Sequence, residues 1–256
     1  LENSPDLRRE LRTTIGNVYL NLDEGKRCLE LFTRNQASSD LLTATPIQTA
    51  RSMIMRSECH LALDERVDAR RWIEAAEAAL RDETSVSADQ LRAWVWVDRA
   101  QLLSLDGKLI EANVLLEQGL RLAVQSGATE HQYRANRFLG YNLQNAGDNV
   151  GAVAAFKRAL EVSTQMNGPN HRSTLTIAGN LAVSQGRLQQ WEEADATINN
   201  ALQAVESVRH RGASPDIVIA QLRDSHATLL WQQGRFDECI EQAKLSLEIY
   251  QRMVSA

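Results

Sequence analysis

The sequence predicts an all-α fold, a right-handed α-solenoid of about six helix–turn–helix repeats. Three observations predict it. Strand signals are nearly absent, because no runs of alternating β-branched residues occur in the 256 residues. Turn-forming residues return at a near-constant interval. Between those turns the apolar residues keep helical spacing. Composition permits such a fold: 43% hydrophobic and 24% charged residues supply enough apolar surface for a large core. The low hydrophobicity and high net charge of a disordered chain are both missing.

The four prolines stand at positions 5, 46, 169 and 215. The gap from 5 to 46 is 41 residues, and the gap from 46 to 169 is 123, three times as long. Proline suits the first turn of a helix and not its interior, so the prolines read as openings of recurring helices. The two gaps in the series hold Thr84–Asp89 and Ser126–Thr129, stretches rich in helix-capping residues. Repeats are expected at 5–41, 46–82, 87–126, 129–166, 171–208 and 215–254, as one array over residues 1–256. A short polar or glycine turn divides each repeat: Asp23-Glu24-Gly25, Asp64-Glu65-Arg66, Asp106-Gly107-Lys108, Ala146-Gly147-Asp148, Gln189-Gln190 and Gln233-Gly234-Arg235. In the fourth repeat Phe138, Leu139 and Leu143 lead into the turn, and Val153, Phe156 and Leu160 follow it at i, i+3, i+7.

A small residue marks the first helix of each repeat: Gly16, Ala100, Gly140, Ala182 and Ala227, with Glu58 the exception. The second helices carry Cys28, Ala112, Ala152, Ala194 and Cys239, with Arg70 the exception; a one-residue shift would put Ala69 there instead. Two helices approach within about 8–10 Å only where side chains are small. Phe32, Leu116, Phe156 and Ile198 follow four residues later and are expected to fill the gap toward the next repeat.

This pattern resembles tetratricopeptide repeats. The residues that carry it are Ile15-Gly16 with Tyr19, Leu139-Gly140 with Ala152, Phe156, Ala159 and Leu160, and the run Gln233 to Glu238. The period exceeds the roughly 34 residues of the standard repeat and is similar to the 42-residue variety of kinesin light chains and bacterial signalling proteins. The fifth repeat matches that variety best, through Gly168-Pro169-Asn170-His171, Thr174, Asn180-Leu181-Ala182, Glu193-Ala194 and Ala201-Leu202. A HEAT or armadillo array has a compatible period, but the pair of small residues per hairpin favours tetratricopeptide repeats. The opening Leu7–Gly16 resembles the first repeat of bacterial serine/threonine kinases with C-terminal repeats.

Chemical motifs are missing. The histidines, His60, His131, His171, His210 and His226, form no HExxH or Cys/His cluster, so no metal is expected. No phosphate-binding glycine loop and no nucleophile elbow occurs. No catalytic residue and no cofactor is expected. Net charge −5 and pI about 5.6 argue against nucleic-acid binding. No apolar run approaches the roughly 18 residues of a membrane span. Cys28, Cys59 and Cys239 are expected as buried free thiols, with a Cys28–Cys59 bridge as the alternative in an oxidising compartment.

Function is therefore sought on the first helices, which the resemblance turns toward a concave groove. Arg134, Arg137 and Tyr141 form a stripe at i, i+3, i+7, which Gln144 extends. Asn180 falls on the neighbouring first helix; in the resembling repeats an Asn at this place bonds a bound peptide's backbone. The two arginines suit an acidic side chain or carboxylate. Trp94 and Trp231 are candidate aromatic anchors. The expected partner is a protein or peptide. The last helix would leave Ile240, Leu247 and Tyr250 partly exposed, so a homodimer through it is a second expectation. A chain opening on Leu1 reads as the docking or sensing region of a longer signalling protein, such as a kinase, or as the dimerisation module of a transcriptional regulator. A small-molecule sensor is the further alternative. Only Lys26, Lys108, Lys157 and Lys244 are lysines, and this arginine bias suits a bacterial source. The compartment would be cytoplasmic, or periplasmic for a membrane-spanning parent.

Overall fold

Hydrophobic periodicity becomes twelve α-helices and no strand among the residues that the computed structural model describes, 4–33, 44–209 and 216–255. They are α1 Pro5–Asn21, α2 Gly25–Thr33, α3 Pro46–Ala62, α4 Arg66–Ala79, α5 Val86–Leu105, α6 Leu109–Gln125, α7 Thr129–Asn145, α8 Asn149–Asn167, α9 Arg172–Arg187, α10 Trp191–Arg209, α11 Asp216–Gln232 and α12 Phe236–Ser255. Taken in pairs they make six hairpins, the number the repeat pattern predicts. The end of the first expected repeat, residues 34–41, and the expected helix opening at Pro215 lie outside the described residues. No described helix is long and apolar enough to cross a membrane.

Each of the six turns holds one residue in the left-handed region. Gly107, Gly147 and Gly234 adopt it at φ 78°, 81° and 77°, where glycine has no Cβ to clash. Asp23, Asp64 and Gln189 adopt it at φ 60°, 57° and 59° and carry the steric cost. Helix starts follow local chemistry. Thr45 and Gln48 close a reciprocal capping box on α3, Ser85 Oγ accepts from Ala88 N on α5, and Asp148 Oδ1 accepts from Gly151 N on α8. Pro5 and Pro46 do open helices. Pro169 does not: it sits in the loop ahead of α9, whose N-cap is His171, with Nδ1 accepting from Ser173 N.

The chain divides into two compact units, Leu1–His131 and Gln132–Ala256, with the boundary inside α7. In the first, α3 packs on α4 and α5 on α6, while the first helices α1, α3 and α5 touch in succession. In the second, α9 packs on α8, α10 and α11, and α11 on α12.

The small residues do what the packing argument requires. A Cβ on Gly140 would stand 2.4 Å from the Phe156 ring, and one on Gly16 2.7 Å from Phe32. So each phenylalanine fills the space left by the glycine of its own hairpin. Phe156 also joins Ile177 and Leu181 of the following first helix in one cluster, and Phe32 joins Met55 and Cys59. Burying such a ring contributes about 1.5–3 kcal/mol. In the second repeat Glu58 and Arg70 are not the packed positions. Ser57 and Ala69 are, both at 0% exposure, and Ser57 Oγ donates to the Ala69 carbonyl at 3.0 Å. The register there is shifted by one residue, which puts the long polar side chains outside.

The cysteines need correction. Cys28 of α2 and Cys59 of α3 are not free thiols but a buried disulfide, with Cα atoms 5.6 Å apart. Cys28, at the small position of α2, faces Cys59 on the first helix of the next hairpin. Cys239 is free and half-buried.

Candidate functional site

The fourth and fifth repeats place their first helices, α7 and α9, side by side, and the polar stripe read from α7 meets one on α9. Asn180 Nδ2 donates to the Tyr141 hydroxyl at 3.2 Å and to its own helix at Thr176 O at 2.9 Å. One turn further, Gln144 Nε2 donates to Ser184 Oγ at 2.8 Å, and Ser184 Oγ donates to the Asn180 carbonyl at 3.0 Å. Arg187 completes the ladder by donating to the Gln144 carbonyl at 3.4 Å. Asn180, Ser184 and Arg187 lie at i, i+4, i+7, the spacing that puts three side chains on one helix face. Both Asn180 donor hydrogens are thus committed, while Oδ1 accepts nothing among the described residues and is not sealed from solvent.

Tyr141 is the aromatic centre of this ladder. Its ring stands edge-on to Phe156 with centroids 5.4 Å apart, so the polar face is tied to the hydrophobic core directly beneath it. Burial raises its pKa above the ordinary tyrosine value, and the nearby Arg137 charge opposes that shift. The Arg137 guanidinium lies 4.7 Å from the Phe138 ring and 5.5 Å from the Tyr133 ring, and its Nε is buried without a partner. It is held by aromatic faces rather than by a carboxylate. Arg134 lies half-buried one turn earlier on α7.

The two tryptophans fare differently. Trp94, in the first unit, is engaged on both sides: its Nε1 donates to Glu58 Oε1 at 2.9 Å, and its ring stacks on His131 with centroids 5.0 Å apart. Its position is set by neighbouring first helices. Trp231 is 64% exposed at the end of α11, edge-on to Phe236 across the turn at 5.1 Å. Tyr141, Gln144 and Asn180 are therefore brought together with Arg137 beside them, and Trp231 stands apart at the α11–α12 turn. Ser184 and Arg187 are not among the groove residues that the sequence points to, and Glu58 and His131 stand out there only as a repeat exception and as one of the scattered histidines. The Asn180 stripe carried to i+4 and i+7 would have found the first two.

Among the described residues His60, Glu65 and Asp68 are the one group with metal-ligand atoms close together, within 4.8 Å. His60 Nδ1 and Glu65 Oε2 are 2.6 Å apart, and both acidic residues are exposed, so the cluster is accounted for by an ordinary hydrogen bond at a hairpin tip.

Comparison with known proteins follows the same lines. Residues 131–207, which hold this ladder, match the tetratricopeptide repeat family. No curated protein sequence matches the chain at a significant level. Solved structures match over nearly its whole length. BtubC (BKLC) from P. vanneervenii superposes with a TM-score of 0.70 at 14% identity, covering 97% of this chain and 93% of that one. The apo form of RapI gives 0.63 at 11% identity, covering 95% and 77%. Aspartyl phosphate phosphatase F from Bacillus subtilis gives 0.63 at 12% identity, covering 96% and 71%. At these identities the likeness concerns the fold.

Proposed function

We propose, from the premise that the chain is a tetratricopeptide-repeat protein, that it is a non-catalytic scaffold whose α7–α9 ladder binds an extended peptide with an acidic side chain. The observation that carries this reading is the pairing of an unoccupied Asn180 Oδ1 with an Arg137 guanidinium that has no carboxylate partner. An extended peptide offers backbone N–H groups to the first and a carboxylate to the second. Tyr141 and Gln144 hold the neighbouring rungs rigid, so little side-chain freedom is lost on binding. Arg134 extends the basic end of the stripe. Trp94, already committed to Glu58 and His131, serves as a structural wall, and Trp231 serves as a separate exposed anchor.

The test is affinity capture with the chain as bait, followed by the Arg137→Ala/Asn180→Ala double variant. The reading expects partner capture to be lost while the far-ultraviolet circular dichroism stays unchanged. Capture that survives the double variant refutes it. Within a bacterial signalling protein such as a serine/threonine kinase, this surface would act as the docking region. A kinase segment in the reading frame ahead of Leu1 would support that placement, and any other catalytic or DNA-binding segment there would replace it.

A second reading has its own observation. Phe236, Ile240 and Leu247 on α12 are 53%, 51% and 54% exposed. They lie at i, i+4, i+11, one apolar stripe, and a second copy of the chain packing there would make the dimer. A monomer in light scattering at high concentration removes this reading.

A further inference from the structure

Arg56 is the one buried cationic side chain among the described residues, at 8% exposure on α3. One terminal nitrogen donates to the Phe32 carbonyl at 2.6 Å, and the guanidinium lies 4.5 Å over the Trp72 ring. Nε is buried and has no hydrogen-bond partner, and no described carboxylate pairs with the group. A buried charge ordinarily demands an anion. Here burial, reinforced by the like charge of Arg12, pushes the Arg56 pKa below the ordinary arginine value.

The guanidinium lines a cavity of about 70 Å³ in the first unit. Phe32 and Trp72 form its apolar side, and Arg12 reaches it from α1. Thr49 and Ser52 also line it, and with Arg56 they lie at i, i+3, i+7 on one face of α3. Neither of these hydroxyls makes a hydrogen bond among the described residues. Arg9, the remaining cation of the wall, is held by Asp6 at 2.6 Å. Glu58, which binds Trp94, lies two residues on from Arg56, about 200° around the helix. The cavity therefore opens on a different side of α3 from the Glu58–Trp94 contact.

We propose that this cavity is an anion site that takes a single oxyanionic group, phosphate or carboxylate, against Arg56 with the Thr49 and Ser52 hydroxyls as additional donors. Guanidinium geometry favours a planar or tetrahedral oxyanion over a halide, because donors arranged in a fork meet two oxygens at once. The small volume admits the charged end of a ligand and excludes a bulky body. The site shares no residue with the α7–α9 ladder, so its failure leaves the peptide-binding reading standing.

The experiment titrates the isotope-labelled chain with inorganic phosphate and, separately, with acetate, chloride keeping the ionic strength constant. A saturable shift of the Arg56 Nε–H nuclear magnetic resonance signal is expected. Thermal unfolding should rise by roughly 3 °C when the ion reaches about ten times its Kd. Arg56→Met should keep the helical spectrum and lose the rise, and Thr49→Val/Ser52→Ala should weaken binding several-fold. A response to phosphate alone, to acetate alone or to both identifies the group and supports the site. No saturable shift with either ion overturns it, as does a rise of equal size in Arg56→Met. If that variant does not fold, the wild-type titration decides by itself.

Discussion

Asn180 Nδ2 donates to the Tyr141 hydroxyl at 3.2 Å, one repeat away in sequence, and this bond holds the first helices of consecutive hairpins in register. Tyr141 in turn rests edge-on against Phe156, which occupies the space left by Gly140. One contact chain thus runs from the polar surface to the close glycine–phenylalanine packing of the fourth repeat. Removing only the phenol oxygen, as in Tyr141→Phe, is expected to cost about 0.5–1.5 kcal/mol. Urea denaturation measures it. The ring remains, so the core is spared.

Gly140→Ala tests the packing from below. The new methyl would meet the Phe156 ring well inside contact distance, and overpacking of this kind costs about 1–3 kcal/mol. The paired variant Gly140→Ala/Phe156→Leu is expected to recover part of the loss, because the smaller side chain vacates the space. A double-mutant cycle in denaturant reads the coupling.

The hairpin turns make a prediction of the opposite sign. Gln189 sits at φ 59°, where Gly107, Gly147 and Gly234 hold the matching turns of other repeats. Gln189→Gly relieves the left-handed strain and adds entropy to the unfolded chain. Strain is the larger effect, so a gain of roughly 0.5–1 kcal/mol is expected in the same assay.

The Cys28–Cys59 bridge closes 31 residues of sequence. A loop of that length implies a stabilisation of about 3–4 kcal/mol by chain entropy. Reduction, or the Cys28→Ala/Cys59→Ala variant, should lower the unfolding free energy of the first unit by that amount, read from denaturant titration. Proteolysis followed by mass spectrometry without reductant should recover the linked peptides. Finding both thiols alkylated in the native chain would reject the bridge.

His226 gives a pH dependence. Burial is the main cause that lowers its pKa below the ordinary 6.5, and Asp195 and Glu238 oppose it while Arg235 and Arg223 reinforce it. The unfolded chain therefore binds the proton more readily than the folded one. Stability from this residue is complete above pH 6.5 and falls as the pH drops from there toward the folded pKa. His226→Gln should flatten the stability profile below pH 6.5, read by denaturation at a series of pH values.

Local chemistry in the chain was sufficient for the helices, their turns and their pairing into six hairpins. Helix and turn preferences act over a few residues, and a repeat displays each of them six times. The stripe on α7 was legible for the same reason, since helical spacing alone puts Arg134, Arg137, Tyr141 and Gln144 on one face. What sequence could not supply was the meeting of residues from different elements. Ser184 and Arg187 against Gln144, Glu58 and His131 against Trp94, and Arg56 between Phe32 and Trp72 all depend on how neighbouring hairpins lie, as does the choice between free thiols and a bridge at Cys28 and Cys59. A one-residue slip moves a side chain about 100° around its helix, as the second repeat shows by choosing Ser57 and Ala69 over Glu58 and Arg70. Packing between helices selects that register, because only there do small side chains let the backbones close, and the register then decides which polar groups meet and which are left open to a ligand.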